Sequence, residues 1–116
     1  MPNSQNTQQV PIDSYEYGEE VLYSAHNGGQ IIVKGDFLRI GVGAVRSGEY
    51  LDNDGNLQSG TIAHLSFFVR GRPELEQDLD VYEGKIITVA GYRVRVTDVN
   101  NDEKLVVIKI ATPIKP

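Results

Sequence analysis

The segment from Gly84 to Thr112 constrains the fold more than any other stretch of this 116-residue chain. Residues 85–90 are rich in β-branched side chains, which fit the pleated surface of a strand. Residues 92–97 alternate apolar and polar positions, which is the period-two pattern of a half-buried strand. Turn-forming residues follow each of these runs. We therefore predict a meander of three antiparallel strands, the last of them over residues 104–110.

The register of the meander follows from keeping its apolar side chains on one face. A two-residue loop at positions 90–91 places Ile87 opposite Val94, and a three-residue loop at positions 100–102 places Ile108 opposite the same valine. A four-residue loop would place a lysine there. Because a one-residue slip turns every side chain to the other face, we predict the three-residue loop. The predicted inner face comprises Ile87, Val89, Tyr92, Val94, Val96, Val106, Ile108 and Ile110. The predicted outer face comprises Ile86, Thr88, Arg93, Arg95, Leu105, Val107 and Lys109, a mixed set that indicates partial cover by another segment.

Further strands are predicted before the meander, separated by turn signals at the spacing of an all-β fold. They cover residues 20–25, 30–34, 36–42, 61–70 and 79–82. We expect the first two to form a hairpin across the Asn-Gly-Gly turn between them. We also expect the apolar run at residues 31–33 to be buried on both faces. Gly41 and Gly43 alternate in the third strand, which predicts a bulge, a sharp bend or a close backbone approach there.

Residues 47–60 form the longest polar region inside the domain, and residues 52–56 carry the side chains of a turn. Leu51 and Leu57 flank that turn, which suggests the tip of a hairpin. Because exposed connections of this kind are usually the most mobile parts of a domain, we expect mobility here.

The organisation predicted for the chain is a tail followed by one domain. Residues 1–18 are too polar to offset the entropy of ordering, so they are predicted to be a disordered tail. Residues 19–116 are predicted to form an all-β domain of about seven strands. It would be either a small antiparallel barrel (OB/SH3-like) or a two-sheet sandwich. An alternative for the tail is an extended strand formed around Val10, Ile12, Tyr15 and Tyr17.

Composition bounds the chemistry and the compartment. Cysteine is absent, which excludes disulfides, a thiol nucleophile and cysteine zinc sites, and favours a reducing compartment. The first residues have neither the basic region nor the apolar region of a signal peptide. No apolar run approaches the length of a membrane span. We therefore expect a cytoplasmic protein that does not contact a membrane.

Two glycine-containing motifs fail as ligand-binding loops. Gly41-Val42-Gly43 has neither the third glycine nor the Lys-Ser/Thr pair of a phosphate loop. Aligning Gly55 with the invariant glycine of a calcium loop places Tyr50 and Thr61 where acidic ligands are required, so only weak calcium binding stays open. We expect no cofactor and no metal.

No catalytic residues are predicted either. His26 and His64 are the only histidines, and Ser66 shares a strand face with His64. A serine and a histidine without an orienting third group do not make a catalytic triad. We therefore expect a protein that is not an enzyme.

One constellation on the predicted sheet suggests a binding face. Basic side chains beside an exposed aromatic, on a curved sheet, are typical of small barrels that bind single-stranded nucleic acid. The candidate face comprises Phe68, Arg70, Arg93, Arg95 and Lys109. The formal net charge of −5 disfavours nucleic acid, because phosphate contacts require positive charge. The acidic run of Glu74, Glu76, Asp78, Asp80 and Glu83 is either a solvated edge or a docking patch for a basic partner.

With no catalytic constellation in the chain, we expect a protein-interaction or assembly module that binds a protein partner or self-associates. Its contacts would be made by sheet edges or by the mixed outer face. The alternatives are a single-stranded nucleic-acid-binding domain and a small-ligand-binding domain with a deep pocket.

Overall fold

The structure is a computed structural model that describes residues 16–115. That part of the chain is built from ten β-strands and one short 3-10 helix, Pro73–Leu75. The strands are β1 (Glu16–Tyr17), β2 (Val21–His26), β3 (Gln30–Ile32), β4 (Leu38–Leu51), β5 (Leu57–Val69), β6 (Gln77–Val81), β7 (Ile86–Val89), β8 (Tyr92–Asn100), β9 (Leu105–Ala111) and β10 (Pro113–Lys115). The prediction of an all-β chain is confirmed, whereas the expected number of about seven strands is too low.

Two four-stranded antiparallel sheets carry the fold. The meander sheet has the strand order β2-β9-β8-β7, and the arm sheet has the order β3-β4-β5-β6. β1 and β10 pair with each other as a separate two-stranded ribbon. Across residues 16–115, strand pairing does not join the meander sheet to the arm sheet, so the described strands do not form a closed barrel.

The inward sides of the two sheets share one hydrophobic core. The largest of its fully buried side chains is Phe67 of the arm sheet, and Val94 and Ile108 of the meander sheet are fully buried in the same cluster. The buried residues alternate along the strands that supply them, as Leu65, Phe67 and Val69 do in β5, because successive side chains of a strand point to opposite faces. The outward sides of the two sheets therefore face away from each other.

The inner face predicted for the meander is confirmed, but one of its two registers is wrong. The first hairpin pairs Ile87 with Val94, as predicted. In the second hairpin Val94 lies opposite Ile110 rather than Ile108. The loop is longer than three residues, and the ladder shifts between Val96 and Asp98. An even-numbered loop alone would turn the apolar side chains of β8 to the outer face. The bulge inserts one extra residue into β8, which turns them back, so the predicted side chains stay buried.

The hairpin predicted for the first two strands is not formed. β2 pairs with β9 and β3 pairs with β4, so the turn between them carries the chain from one sheet to the other. Backbone hydrogen bonds join this turn to β4: the Gly28 N–H donates to the Val42 carbonyl at 2.8 Å, and the Val42 N–H donates to the Gly29 carbonyl at 2.9 Å. The predicted burial of both faces of β3 is also wrong, since Ile32 is 49% exposed at this sheet edge.

Of the three alternatives predicted for the glycine-rich strand, the structure shows a bulge and a close backbone approach. The β4–β5 register shifts between Val42 and Val45, which leaves both valines buried. A Cβ atom on Gly43 would lie 3.3 Å from the Cβ and from the carbonyl oxygen of His64. Glycine at this position therefore lets the two backbones approach where the ladder is interrupted.

Most of the predicted disordered tail lies outside the described residues, as do Val10, Ile12 and Tyr15 of the alternative extended strand. Its last part, Glu16–Tyr17, forms β1. The N–H of Gly18 donates to the carbonyl of Thr112 at 2.9 Å.

Candidate functional site

β4 and β5 extend well beyond the rest of the arm sheet. β3 pairs with β4 at residues 39–41 and β6 pairs with β5 at residues 63–67, whereas residues 46–51 and 57–62 pair only with each other. We call residues 46–62 the arm. Its six ladder positions correspond to a ribbon about 20 Å long at the usual rise of a strand.

One face of the arm is exposed and carries an apolar pair. Glu49 lies opposite Ser59, and Leu51 lies opposite Leu57 at the last ladder position before the turn. The leucines are 63% and 65% exposed, and they are the two most exposed large hydrophobic side chains in residues 17–113. Leucine side chains at this exposure leave apolar surface in water that a partner would cover.

The opposite face of the arm packs on the body of the domain. Tyr50 stacks on Tyr82 with ring centroids 4.1 Å apart and planes 14° apart. The Tyr82 hydroxyl donates to Oδ1 of Asn53 at 2.8 Å. Burial, followed by the charge of Asp52, raises the pKa of Tyr82. Lys85 places its Nζ 5.4 Å from the centre of the Tyr82 ring. These contacts hold the arm in one direction relative to the domain.

The base of the arm has a second support. Asn101, in the loop between β8 and β9, donates from Nδ2 to the Ser47 hydroxyl at 3.2 Å. Lys104 of the same loop donates from Nζ to the Val45 carbonyl at 3.1 Å. The meander sheet therefore also constrains the direction of the arm.

The turn at the end of the arm is held by its own first residue. The Oδ1 atom of Asp52 accepts hydrogen bonds from the N–H groups of Asp54 and Asn56, both at 2.9 Å. Its Oδ2 atom accepts from Nε2 of Gln58, also at 2.9 Å. These hydrogen bonds, that from Asn56 first, lower the pKa of Asp52. The Asp52 carboxylate thus closes the turn. Among the described residues, no group of three or more His, Cys, Asp or Glu side chains could hold a metal ion.

The outward side of the meander sheet carries a basic face, which we define as Arg93, Arg95 and Lys109. Arg95 and Lys109 are direct neighbours on β8 and β9. Ile86 lies beside Arg95, and Leu22 lies beside Lys109, so apolar side chains flank the two cations across the sheet. Ile86 is 55% and Leu22 is 61% exposed.

The chain itself supplies a carboxylate to this basic face. Glu20 makes a two-pronged contact with Arg95, with Oε1 2.5 Å from Nη2 and Oε2 3.1 Å from Nε. Its Oε2 lies 4.0 Å from Nη2 of Arg93. The hydrogen bond from Arg95 lowers the pKa of Glu20. The guanidinium of Arg93 lies 4.6 Å from the centre of the Tyr17 ring. Residues 17–20 are therefore the segment that partly covers the mixed outer face.

The five candidate residues predicted from the sequence are not brought together on one sheet. The meander sheet carries Arg93, Arg95 and Lys109. Phe68 instead lies on the outward side of the arm sheet, and Arg70 is the first residue after β5. Phe68 and Arg70 instead line a surface cavity of about 320 Å³. Its other lining residues are Asp36, Phe37, Arg39, Val69, Gly71, Pro73 and Glu76.

His64 pairs with Asp80 rather than with Ser66. Nδ1 of His64 lies 3.1 Å from Oδ1 of Asp80, its neighbour across the β5–β6 ladder. Nη2 of Arg46 lies 3.5 Å from the other oxygen of Asp80. The acidic run thus contributes to β6, an edge strand of the arm sheet, where charged side chains hinder pairing with another strand.

Sequence reasoning missed the arm as an extended ribbon and the role of Glu20. A signal for the arm is present, because the residues on either side of the turn mirror each other. Gly48 pairs with Gly60 and Leu51 pairs with Leu57. No comparable local signal marks Glu20, since its partner Arg95 lies 75 residues away.

No protein-family model, curated protein or solved structure matches this chain. Within the part of the chain described, no helix has the length and apolar character needed to cross a membrane.

Proposed function

We propose that this chain is a non-catalytic protein-interaction module and that the arm is its contact element. The observation that carries the proposal is the Leu51–Leu57 pair, exposed at the end of a ribbon that is held away from other strands. A two-stranded ribbon alone is at best marginally stable in water. Extending one beyond its sheet, with leucines at its tip, is disadvantageous unless a partner covers it.

The supports of the arm favour recognition of a partner. The Tyr50–Tyr82 stack and the Asn101–Ser47 hydrogen bond orient the ribbon before any partner arrives. A preordered contact element loses less conformational entropy on binding. Covering each leucine would contribute on the order of 2 kcal/mol of transfer free energy, from which the costs of association are subtracted.

For the architecture we propose a two-sheet sandwich rather than a barrel. Supporting this choice, the shared core contains side chains from both four-stranded sheets, and strand pairing stays within each sheet over residues 16–115. A cytoplasmic location, expected from the absence of cysteine, stays a prediction.

Affinity capture with matched variants tests the proposed function. The bait is the full chain, compared with a variant that carries Leu51→Ser and Leu57→Ser. The control is Ile32→Ser, which changes an exposed apolar residue on the arm sheet but not on the arm. We expect a protein that the wild-type and control baits retain and the arm variant loses by about tenfold or more. Equal retention by all three baits would contradict the proposal.

Single-stranded nucleic-acid binding is the second candidate, and the basic face is the observation that favours it. Arg93 over Tyr17, with Arg95 and Lys109 nearby, combines an aromatic ring with positive charge. Glu20 opposes this role, because it occupies the fork of Arg95. Fluorescence anisotropy with a labelled oligonucleotide at low and high salt decides the question, and absent or salt-insensitive binding would exclude it.

A further inference from the structure

We infer that the protein partner of the arm is a second copy of this chain, whose basic face receives the arm. This inference rests on the proposed function and names the partner. The two surfaces involved are the exposed face of the arm and the outward side of the meander sheet. Each copy would offer its arm to one neighbour and its basic face to another.

The charges of the two surfaces are opposite. The arm contains Glu49, Asp52 and Asp54, and its one basic residue, Arg46, lies at its base beside Asp80. The basic face has three cations, and Glu20 contacts two of them, while Asp98 lies farther along the same outward side opposite Val107. Complementary surfaces of this kind favour encounter and set the orientation of a complex, although the chain as a whole is acidic.

The apolar parts of the two surfaces also correspond. The arm offers the Leu51–Leu57 pair, and the meander sheet offers Leu22 and Ile86 on either side of its central cations. The aliphatic stems of lysine and arginine add apolar surface between them. An apolar contact bordered by opposite charges is the usual composition of a specific interface.

The contact with Glu20 shows that this face accommodates a carboxylate. Arg95 holds Glu20 through both of its oxygens, the geometry in which arginine binds carboxylates most strongly. Lys109, the neighbour of Arg95 on β9, has no carboxylate within 4.0 Å in the described part of the chain. Lys109 is therefore the cation on this face that remains for an incoming carboxylate. Glu49, two residues before Leu51 and on the same face of the arm, is the carboxylate we assign to it.

The arm does not reach the basic face of its own copy. It extends from the arm sheet, whereas the basic face lies on the outward side of the meander sheet, across the shared core. Tyr82 and Asn101 also hold the arm in its present direction. The contact therefore joins different patches on two copies. Such head-to-tail contacts either close into a ring or continue as a filament.

Sedimentation of two broken variants, separately and mixed, tests this inference. The arm-broken chain carries Leu51→Ser and Leu57→Ser and keeps its basic face. The face-broken chain carries Lys109→Glu and keeps its arm, and Leu22→Ser serves as a second face-broken variant. We expect the wild type to associate in a concentration-dependent manner, and each broken chain to weaken association about tenfold or more. The equimolar mixture should form a dimer and nothing larger, because each chain supplies one intact surface.

Controls separate this contact from general effects of charge. Lys34→Glu changes a lysine of the loop after β3 and should leave association unchanged. A chain with both Glu49→Lys and Lys109→Glu should recover association, because the charges are exchanged. A wild type that sediments as a monomer at all concentrations, or a mixture that stays monomeric, would overturn the inference. If the chain does not self-associate but the arm retains a different protein in the capture experiment, the proposed function stands. Only the inference that the partner is a second copy is then wrong.

Discussion

Tyr50 of the arm stacks on Tyr82 of the domain body with 4.1 Å between the ring centroids. Tyr82 is buried, and its hydroxyl donates to Asn53 in the turn of the arm. One residue of the body therefore touches the arm both along its length and at its end. This relationship makes the arm a directed element of the domain rather than a loose loop.

The Tyr82→Phe substitution should weaken the domain without disrupting it. It keeps the ring stack with Tyr50 and removes only the hydrogen bond to Asn53. We expect the free energy of unfolding to fall by about 0.5–1.5 kcal/mol in a denaturant titration. Tyr50→Phe is the matched control, since it also removes one phenolic hydroxyl and keeps the stack. An effect of Tyr82→Phe no larger than that of the control would contradict the role of this hydrogen bond.

The same tyrosine gives a signature at alkaline pH. Burial raises the pKa of Tyr82 in the folded state, so the folded chain keeps this proton at a pH where the unfolded chain releases it. This contribution to stability is complete below about pH 10, the ordinary pKa of tyrosine. It is lost as the pH rises through the raised value. We expect the pH dependence of stability above pH 10 to be shallower in Tyr82→Phe than in the wild type. Identical slopes would contradict the assignment.

The arm leucines should matter for binding and not for folding. Because Leu51 and Leu57 are exposed in the free chain, replacing both with serine should change the free energy of unfolding by no more than about 0.5 kcal/mol per site. The same variant should lose partner capture. A large loss of stability in a thermal melt would instead assign these leucines to the packing of this chain.

Adjacent phenylalanines test the assignment of the two faces of β5. Phe67 is fully buried in the shared core, whereas Phe68 points outward. Phe67→Ala should cost about 3–5 kcal/mol of unfolding free energy. Phe68→Ala is the control and should cost much less. Comparable costs at the two positions would contradict the register of the arm sheet.

Much of this fold was predictable because strands of period two identify their own inner faces. Val94 and Val96 were assigned to the core from alternation alone, and both are buried. The second register of the meander was not predictable in the same way. A bulge between Val96 and Asp98 inserts one residue into β8, so an even-numbered loop is compatible with a buried Val94, and alternation alone does not indicate such a bulge.

The partners of β2 and of the basic face depended on contacts distant in sequence. The turn after His26 has the composition of a hairpin, yet β2 pairs with β9 because the chain changes sheets there. Alternation placed Arg95 on the outward side correctly. Alternation gives no information about Glu20, because Glu20 is 75 residues from Arg95 in the sequence.

Glu20 is expected to limit access to the basic face. Glu20→Ala removes the carboxylate that holds Arg95, which should strengthen association between copies or with any acidic partner. The loss of this partly exposed ion pair should reduce stability by no more than about 1 kcal/mol. Sedimentation of Glu20→Ala beside the wild type measures the first effect, and a thermal melt measures the second. Weaker association in Glu20→Ala would show that Glu20 belongs to the binding surface.

Site-specific photo-crosslinking from the arm shows whether the arm contacts another protein. A photo-reactive amino acid replaces Leu57, and a second bait carries it at Ile32, which is also exposed but lies on β3, an edge strand of the arm sheet outside the arm. The arm account predicts crosslinks to a protein, either another copy or a different chain, from position 57 and not from position 32. Crosslinks from position 32 alone, or from neither position, would contradict it.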